Sequence, residues 1–447
     1  MTRHPVVIVG GGVSGLAAAV ALGSRGIPPL VLEQKPSAGG RAYSFQDTQT
    51  GEIIDNGQHV LIAGYRNTMW FLNTIGTIGL LSIQPHPLLR FHHPQRGFRK
   101  FSIPKLPSPL NFVAAALSTG LVRFRDRQRL LRAGRAFIRN DLDVIRTLNV
   151  RQWLVANGQS EECRRSLWEP LAVAIMNELP ERASAMSFVR ALRDSFLGGW
   201  RSACIAIPKV GLSSLYVDQA RRFIAQKGGA VMCNADVQTV LFSESAATGV
   251  RLRDGSEIHA DALILSVPPN RISMLISPEQ QERLSLGAVN AFGFSPIVST
   301  HLWFEQSFMQ LPFLGLIGRR TQWVFDKRGR GTEQRSGGHI SAIISAAHET
   351  VSLSNEEIIR NTIEDLRSVY GKQVPEPYHA VVIREKRATV SITPSVEIHR
   401  PTQKTAFSNF FLAGDWTQTG HPATIEGAIS SAVRCAGLAH QYLKERT

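Results

Sequence analysis

Gly10, Gly12 and Gly15 stand in the spacing Gly-x-Gly-x-x-Gly directly after the β-branched run Val6-Val7-Ile8-Val9. Glycines so spaced let a chain turn tightly out of a strand, bring backbone amides onto a pyrophosphate and pack a helix closely against that strand. The helix that follows aims its positive end, with the amides of Val13 and Ser14, at the phosphates. Glu33 ends the next apolar run, Leu30-Val31-Leu32. A carboxylate there accepts hydrogen bonds from a ribose 2′-hydroxyl and repels a 2′-phosphate. Together these residues describe a dinucleotide site suited to FAD or NAD rather than NADP.

Two further groups select between FAD and NAD. Gly39-Gly40-Arg41 follows Glu33 closely, and residues 412–432 read LAGDWTQTGHPATIEGAISSA. Both resemble the flavin-containing amine oxidase and phytoene desaturase superfamily. The resemblance implies an α/β protein: a Rossmann-like, two-dinucleotide-binding, amine-oxidase-like FAD domain interleaved with an α+β substrate domain. It implies that Gly40 and Arg41 meet the pyrophosphate, and that Gly414-Asp415 returns to the ribityl chain and phosphates. Thr424 and Ile425 would aim a helix N-terminus at the flavin pyrimidine edge, and the Val237 backbone would touch the adenine. Gly57, Gln58 and His59 would lie along the flavin. No cysteine precedes Gly414-Asp415 closely, so the FAD is expected to be noncovalent.

Longer strings sharpen the resemblance: GGRAYSF at 39–45, IDNGQHVLIAGYRNT at 54–68, WEPLAVAIMNELPERASA at 168–185 and GDWTQTGHPATIEGA at 414–428. They look like the hydroxysqualene dehydroxylases, squalene-associated flavoproteins of hopanoid pathways. That family implies replacement of an allylic hydroxyl by hydride from flavin N5, giving squalene, with a C30 isoprenoid supplied by upstream squalene-synthase-like enzymes. Such chemistry needs an acid and an apolar tunnel. Candidate acids are Asp194, Glu169 and His59. Candidate wall aromatics are Trp168, Phe188, Phe196, Trp200, Phe292, Phe294, Trp303 and Phe304, each equally able to be core. Amine oxidases usually place a lysine near flavin N5, whereas no lysine occurs here between Lys227 and Lys327. A phytoene- or squalene-type desaturase is the neighbouring alternative. A non-enzymatic prenyl-lipid escort of the same fold is the alternative of another class, and the intact flavin motifs argue against it.

The elements that must hold these residues are legible in the same stretches. The pattern predicts a strand at 6–9, a helix at 16–25 capped by Gly26, and a strand at 30–32. Residues 53–61 are expected to be extended and about 65–75 helical. Helices are expected to dominate from about Arg123 to Gln226, with breaks at Pro170, Pro180 and Pro208. Residues 231–267 read as strands, with Asp254-Gly255 turning a hairpin between 250–253 and 257–259, and a further strand at 262–267. Strands are also expected at 296–304, 339–345 and 410–413, and a helix at 424–443. The expected division is a discontinuous FAD-binding domain at 1–85, 205–275 and 401–447, with a substrate- and membrane-facing domain at 86–204 and 276–400.

A chain of 447 residues exceeds one compact core, which agrees with two domains. Its four cysteines show no CxxC or metal-ligand spacing, so they read as reduced thiols of a cytoplasmic protein. The apolar residues 6–22 are broken by glycines and are not read as a signal peptide. The formal charge of +15 is uneven: residues 90–139 carry twelve Lys or Arg against one acid, Asp126, interleaved with Phe91, Phe98, Phe101, Phe112 and Phe124. No nucleic-acid motif accompanies this charge. Basic residues mixed with apolar ones suit peripheral association with an anionic membrane surface.

Overall fold

The computed structural model describes residues 3–139, 141–328 and 337–446. The run at 6–9 becomes the middle of a parallel sheet because both of its faces are covered: Val6, Val7 and Ile8 expose no surface. The strand Arg3–Val9 pairs in parallel with Pro29–Leu32 on one side and Glu257–Leu265 on the other. Ala230–Met232 extends one edge, and Phe410–Leu412 joins the Glu257–Leu265 strand in parallel. The helix Val13–Gly23 starts three residues before the apolar pattern predicts, so Gly15 lies inside it.

The hairpin forms as expected, between Ala247–Leu252 and Glu257–Leu265, with Gly255 at φ 86°. Residues 257–259 and 262–267 are not two strands, however. One strand, Glu257–Leu265, serves both purposes: its first half pairs antiparallel in the hairpin and its second half parallel with Phe410–Leu412. Asp261 does not interrupt it, because its carboxylate accepts from Arg3 Nε at 2.6 Å.

A second seven-stranded sheet runs in the order His379–Val390, Phe294–Phe304, Gly338–Ser345, Trp323–Asp326, Phe313–Leu316, Leu88–His93, Gly97–Ser102. Its strands alternate. Phe313, Phe325 and Ile343 pack on one face with Val60, Ile205 and Ile207, whereas Leu314, Val324 and Ala342 pack towards the helix Asn355–Tyr370 through Ile363 and Leu366. The basic stretch therefore opens with a hairpin, and only then forms the helices Leu110–Ser118 and Phe124–Arg139. Of the three expected proline breaks, only the one at Pro170 is absent as a helix break. Pro170 sits in the first turn of the helix Glu169–Met176, entered through the π-helical turn Arg164–Trp168, whose wider spacing tolerates a residue without an amide proton. Pro208 ends a strand, Ile205–Pro208.

Candidate active site

A cavity of about 590 Å³ runs between the two sheets. At one end it is walled by the glycine turn. Gly10, Gly12, Val13 and Ser14 line it, while Gly15 lies beneath. A Cβ on Gly15 would stand 1.9 Å from the Gly10 carbonyl oxygen, and one on Gly10, at φ 104°, would stand 2.4 Å from the Ser266 carbonyl. Only hydrogen fits at either place. Gly40 crosses so close to Gly12 that its Cβ would come within 2.9 Å of the Gly12 Cα. The Ser14 hydroxyl is buried there without a partner. An unpartnered donor at a helix N-terminus, inside a cradle kept open by glycine, fits a pyrophosphate.

Glu33 lines the same end and has partners of its own. Its Oε2 accepts from the Gly11 amide at 2.8 Å and its Oε1 from the Lys35 amide at 2.9 Å, so the carboxylate also orders the glycine turn. Val237 lines the cavity nearby. Arg41 Nη2 donates to Asp415 Oδ1 at 2.7 Å, which joins the GGR loop to the distant Gly414-Asp415. Gly414, at φ 148°, lines the cavity beside Asp415. Thr424 caps the helix Ile425–Lys444 by accepting from the Gly427 amide at 3.2 Å, and both Thr424 and Ile425 line the cavity. These residues fit FAD, with Arg41 and the glycine turn for its phosphates and the Ile425–Lys444 helix terminus for its ring. When bound, FAD supplies two-electron redox chemistry.

Gly57, Gln58 and His59 line the cavity between those ends. Lys327 supports them from below: its Nζ donates to Gln58 Oε1 at 3.0 Å and stands 3.5 Å from Asp55 Oδ2. The lysine-free stretch of sequence thus ends at a lysine that the fold brings under this loop.

The three candidate acids are separated by the structure. Glu169 does not reach the cavity. Leu171, Ala174 and Ile175 line it from the helix Glu169–Met176, and a residue two before Leu171 falls on the opposite face. Glu169 instead neighbours Arg151 at 3.7 Å. His59 lines the cavity, but burial lowers its pKa, so it is neutral. Its Nδ1 lies 3.1 Å from the Gly57 carbonyl, which can only accept. The proton is therefore on Nδ1, and Nε2 is an acceptor. Asp194 lines the cavity, 3.4 Å from Nδ1 of His421, which lines it too. His421 was not singled out by sequence. It stands within the quoted TQTGHPATIEGA string, but a lone histidine before proline carries no spacing signal.

Most of the aromatic candidates turn out to be core. Of the eight, Phe196 alone lines the cavity. Trp168 is buried with Nε1 donating to Gln159, Phe188 packs on Trp153, and Trp303 stacks on His339 at 4.2 Å. The wall is made instead by Tyr65, Phe101, Phe313, Trp323, Phe325 and Trp416. Burial raises the Tyr65 phenol well above its usual value, with the Glu426 and Asp194 carboxylates adding to the effect, so it stays protonated. Asn177, left-handed at φ 46°, pins this wall to the second sheet: it donates to Thr389 Oγ1 at 2.9 Å and accepts from the Ala346 amide at 2.8 Å. Glu426 sits in the first turn of the helix Ile425–Lys444. It also accepts from the amides of Asn67 and Thr68 at 3.0 and 2.9 Å, and so anchors the start of the helix Arg66–Thr74.

Residues 13–440 match the family described as flavin containing amine oxidoreductase. The hydroxysqualene dehydroxylase of Sinorhizobium fredii is 30% identical over 97% of this chain and 98% of its own length. The 15-cis-phytoene desaturase of an Oncidium hybrid cultivar is 24% identical over 96% of this chain and 77% of its own length. Among solved structures, an oxidoreductase from Methanosarcina mazei has a TM-score of 0.74 at 16% identity, covering 96% of this chain and 99% of that one. With the glycine turn, Glu33, Arg41 and Asp415 gathered on one cavity, the chain belongs to the flavin containing amine oxidoreductase family and is an FAD-dependent oxidoreductase with hydroxysqualene dehydroxylases among its relatives.

Proposed function

We propose that this enzyme acts on an isoprenoid, removing the allylic hydroxyl of hydroxysqualene to give squalene in hopanoid or related isoprenoid biosynthesis. The observation that carries this reading is the apolar arm of the cavity. Beyond the flavin-facing residues the walls are Leu88, Leu89, Phe101, Ile103, Leu171 and Phe196, side chains suited to a long hydrocarbon. The Sinorhizobium fredii relative supports the same substrate. Anaerobic incubation of the reduced protein with hydroxysqualene, followed by mass analysis, should show squalene. Formation of a more unsaturated product by the oxidised protein would favour the second reading, an isoprenoid desaturase, which the Oncidium relative supports.

We also propose that the substrate is collected from an anionic membrane surface. Among the described residues, no helix is long and apolar enough to cross a membrane. The helix Leu110–Ser118, however, is apolar on both sides. Phe112 packs edge-on to Phe196 of the cavity wall, while Leu110, Val113 and Leu117 are exposed at the spacing of one helical face. Phe124 is 80% exposed beside Arg123 and Arg125. Not all the basic residues are free to meet lipid: Arg96 pairs with Glu162, Arg129 with Asp126, and Arg127 donates to the Leu117 carbonyl. Co-sedimentation with vesicles should require anionic lipid, weaken in high salt and weaken again when Arg123 and Arg125 become Gln. Equal binding to neutral vesicles removes the electrostatic role.

A further inference from the structure

Loss of an allylic hydroxyl as water requires a proton at the departing oxygen; of the three acids suggested by the sequence, Glu169 does not reach the cavity and His59 presents an acceptor, which leaves Asp194 and its neighbour His421. Resting on the dehydroxylation reading above, we propose that His421 is the general acid and that Asp194 is its positioning partner.

The cavity narrows the choice. Glu33, Arg41 and Asp415 are bonded within the dinucleotide end. Glu385 accepts from Asn56 at 3.0 Å. His59 presents an acceptor, and Tyr65 holds its proton too tightly. His421 differs from all of these. Its Nδ1 faces the Asp194 carboxylate at 3.4 Å, and its Nε2 has no hydrogen-bond partner among the described residues. A carboxylate at Nδ1 orients the ring and stabilises the imidazolium, leaving Nε2–H to be given away. The Asp194 side chain is 54% exposed, so protons return from solvent at the rim.

A second observation shows that the pair is built rather than accidental. Arg400, whose side chain is fully buried, donates through Nη1 to the His421 carbonyl at 2.8 Å and through Nη2 to the Asp415 carbonyl at 2.9 Å. Its counter-ion is Glu397 at 3.1 Å. Glu397 in turn accepts from Ser187 Oγ at 2.7 Å and Arg190 Nη1 at 2.9 Å. Ser187 and Arg190 share with Asp194 one face of the helix Ala185–Leu197, by their spacing of three and then four residues. One buried ion network thus grips both the loop that carries His421 and the helix that carries Asp194.

In the step, the allylic C–O bond breaks with its electron pair staying on oxygen. That oxygen takes the proton from His421 Nε2 and leaves as water. The carbon receives a hydride, two electrons and one proton, supplied by reduced flavin. Asp194 holds the imidazolium beforehand and guides reprotonation afterwards. The titratable and charged groups on the surrounding elements are Asp194, Tyr65, Arg400, Glu426 and Arg434, the last donating to the Thr419 carbonyl.

The test uses the FAD-loaded protein, reduced and mixed anaerobically with hydroxysqualene, with the return of flavin absorbance followed against pH. In the wild type the rate should fall as pH rises through the His421 titration. His421→Gln should be roughly 10²- to 10⁴-fold slower, without that limb, at unchanged FAD affinity. Asp194→Asn should instead move the limb to lower pH, because the facing carboxylate charge is removed. Histidine NMR of the oxidised holoenzyme, with His421 assigned by its loss in His421→Gln, should show the same displacement. A wild-type rate and limb in His421→Gln, while the wild type makes squalene, overturns the acid assignment alone. A His421 titration unmoved by Asp194→Asn overturns the pairing, whatever the substrate. Wild-type protein that makes no squalene overturns the dehydroxylation reading itself, and the acid role falls with it.

Discussion

Arg41 and Asp415 lie 374 positions apart in the chain, yet the guanidinium of one donates to the carboxylate of the other at 2.7 Å. Asp415 is almost fully buried and Arg41 about one-third exposed, so the pair closes the phosphate end of the cavity while leaving the guanidinium open to a ligand. Asp415→Ala should raise the FAD dissociation constant about 10- to 100-fold, the effect of losing one charged hydrogen-bond partner worth roughly 1.5–3 kcal/mol. Titration of the apoprotein by flavin fluorescence measures it. An unchanged affinity would remove the pair from the cofactor site.

Glu33→Arg should abolish detectable FAD binding, because it removes the acceptor of two loop amides and adds a cation. Glu33→Gln, which keeps one acceptor oxygen, should lie between that variant and the wild type. Protein that purifies equally yellow in all three cases contradicts the placement.

None of Cys163, Cys204, Cys233 and Cys435 lines the cavity. Acid precipitation should therefore leave the yellow colour in the supernatant. Colour retained in the pellet would mean a covalent tether.

Two glycines in helices should respond oppositely to alanine. Gly15→Ala meets the Gly10 carbonyl at 1.9 Å and should lose FAD and lower the melting temperature. At Gly437 an added Cβ meets nothing within 4 Å. Gly437→Ala, within the helix Ile425–Lys444, should stabilise by about 0.5–1 kcal/mol. Denaturant unfolding of both variants decides between backbone strain and helix propensity as the ruling effect.

Acid should destabilise the fold through His301. It is buried, 3.0 Å from His339, and burial holds its pKa well below the ordinary 6.5, with the His339 and Lys327 charges adding to the depression. Below that ordinary value the unfolded chain binds a proton that the folded one refuses. Its contribution is thus present above about pH 6.5 and lost as pH falls, by up to about 1.4 kcal/mol per pH unit. His301→Asn should flatten this slope in unfolding measured across pH. An identical slope would assign the effect to other groups.

The chain's sequence by itself determined what backbone geometry alone decides. Gly10, Gly12 and Gly15 had to surround a close backbone contact, and Asp254-Gly255 had to turn a hairpin, because Cβ clashes and φ restrictions act between residues near one another in the chain. Glu33 followed from its place at a strand end. The C-terminal string marked its own helix start. What the tertiary structure decided was orientation. Glu169 and Leu171 are two residues apart on one helix, yet only helical phase against the second sheet shows that Leu171 meets the cavity and Glu169 does not. Aromatic type could not distinguish Phe196, which lines the cavity, from Phe188, which packs in the core. Lys327 beneath Gln58, and His421 against Asp194, are pairs joined by loops and strands from distant parts of the chain. No local pattern encodes such meetings, because they depend on how two sheets and a buried ion network pack together.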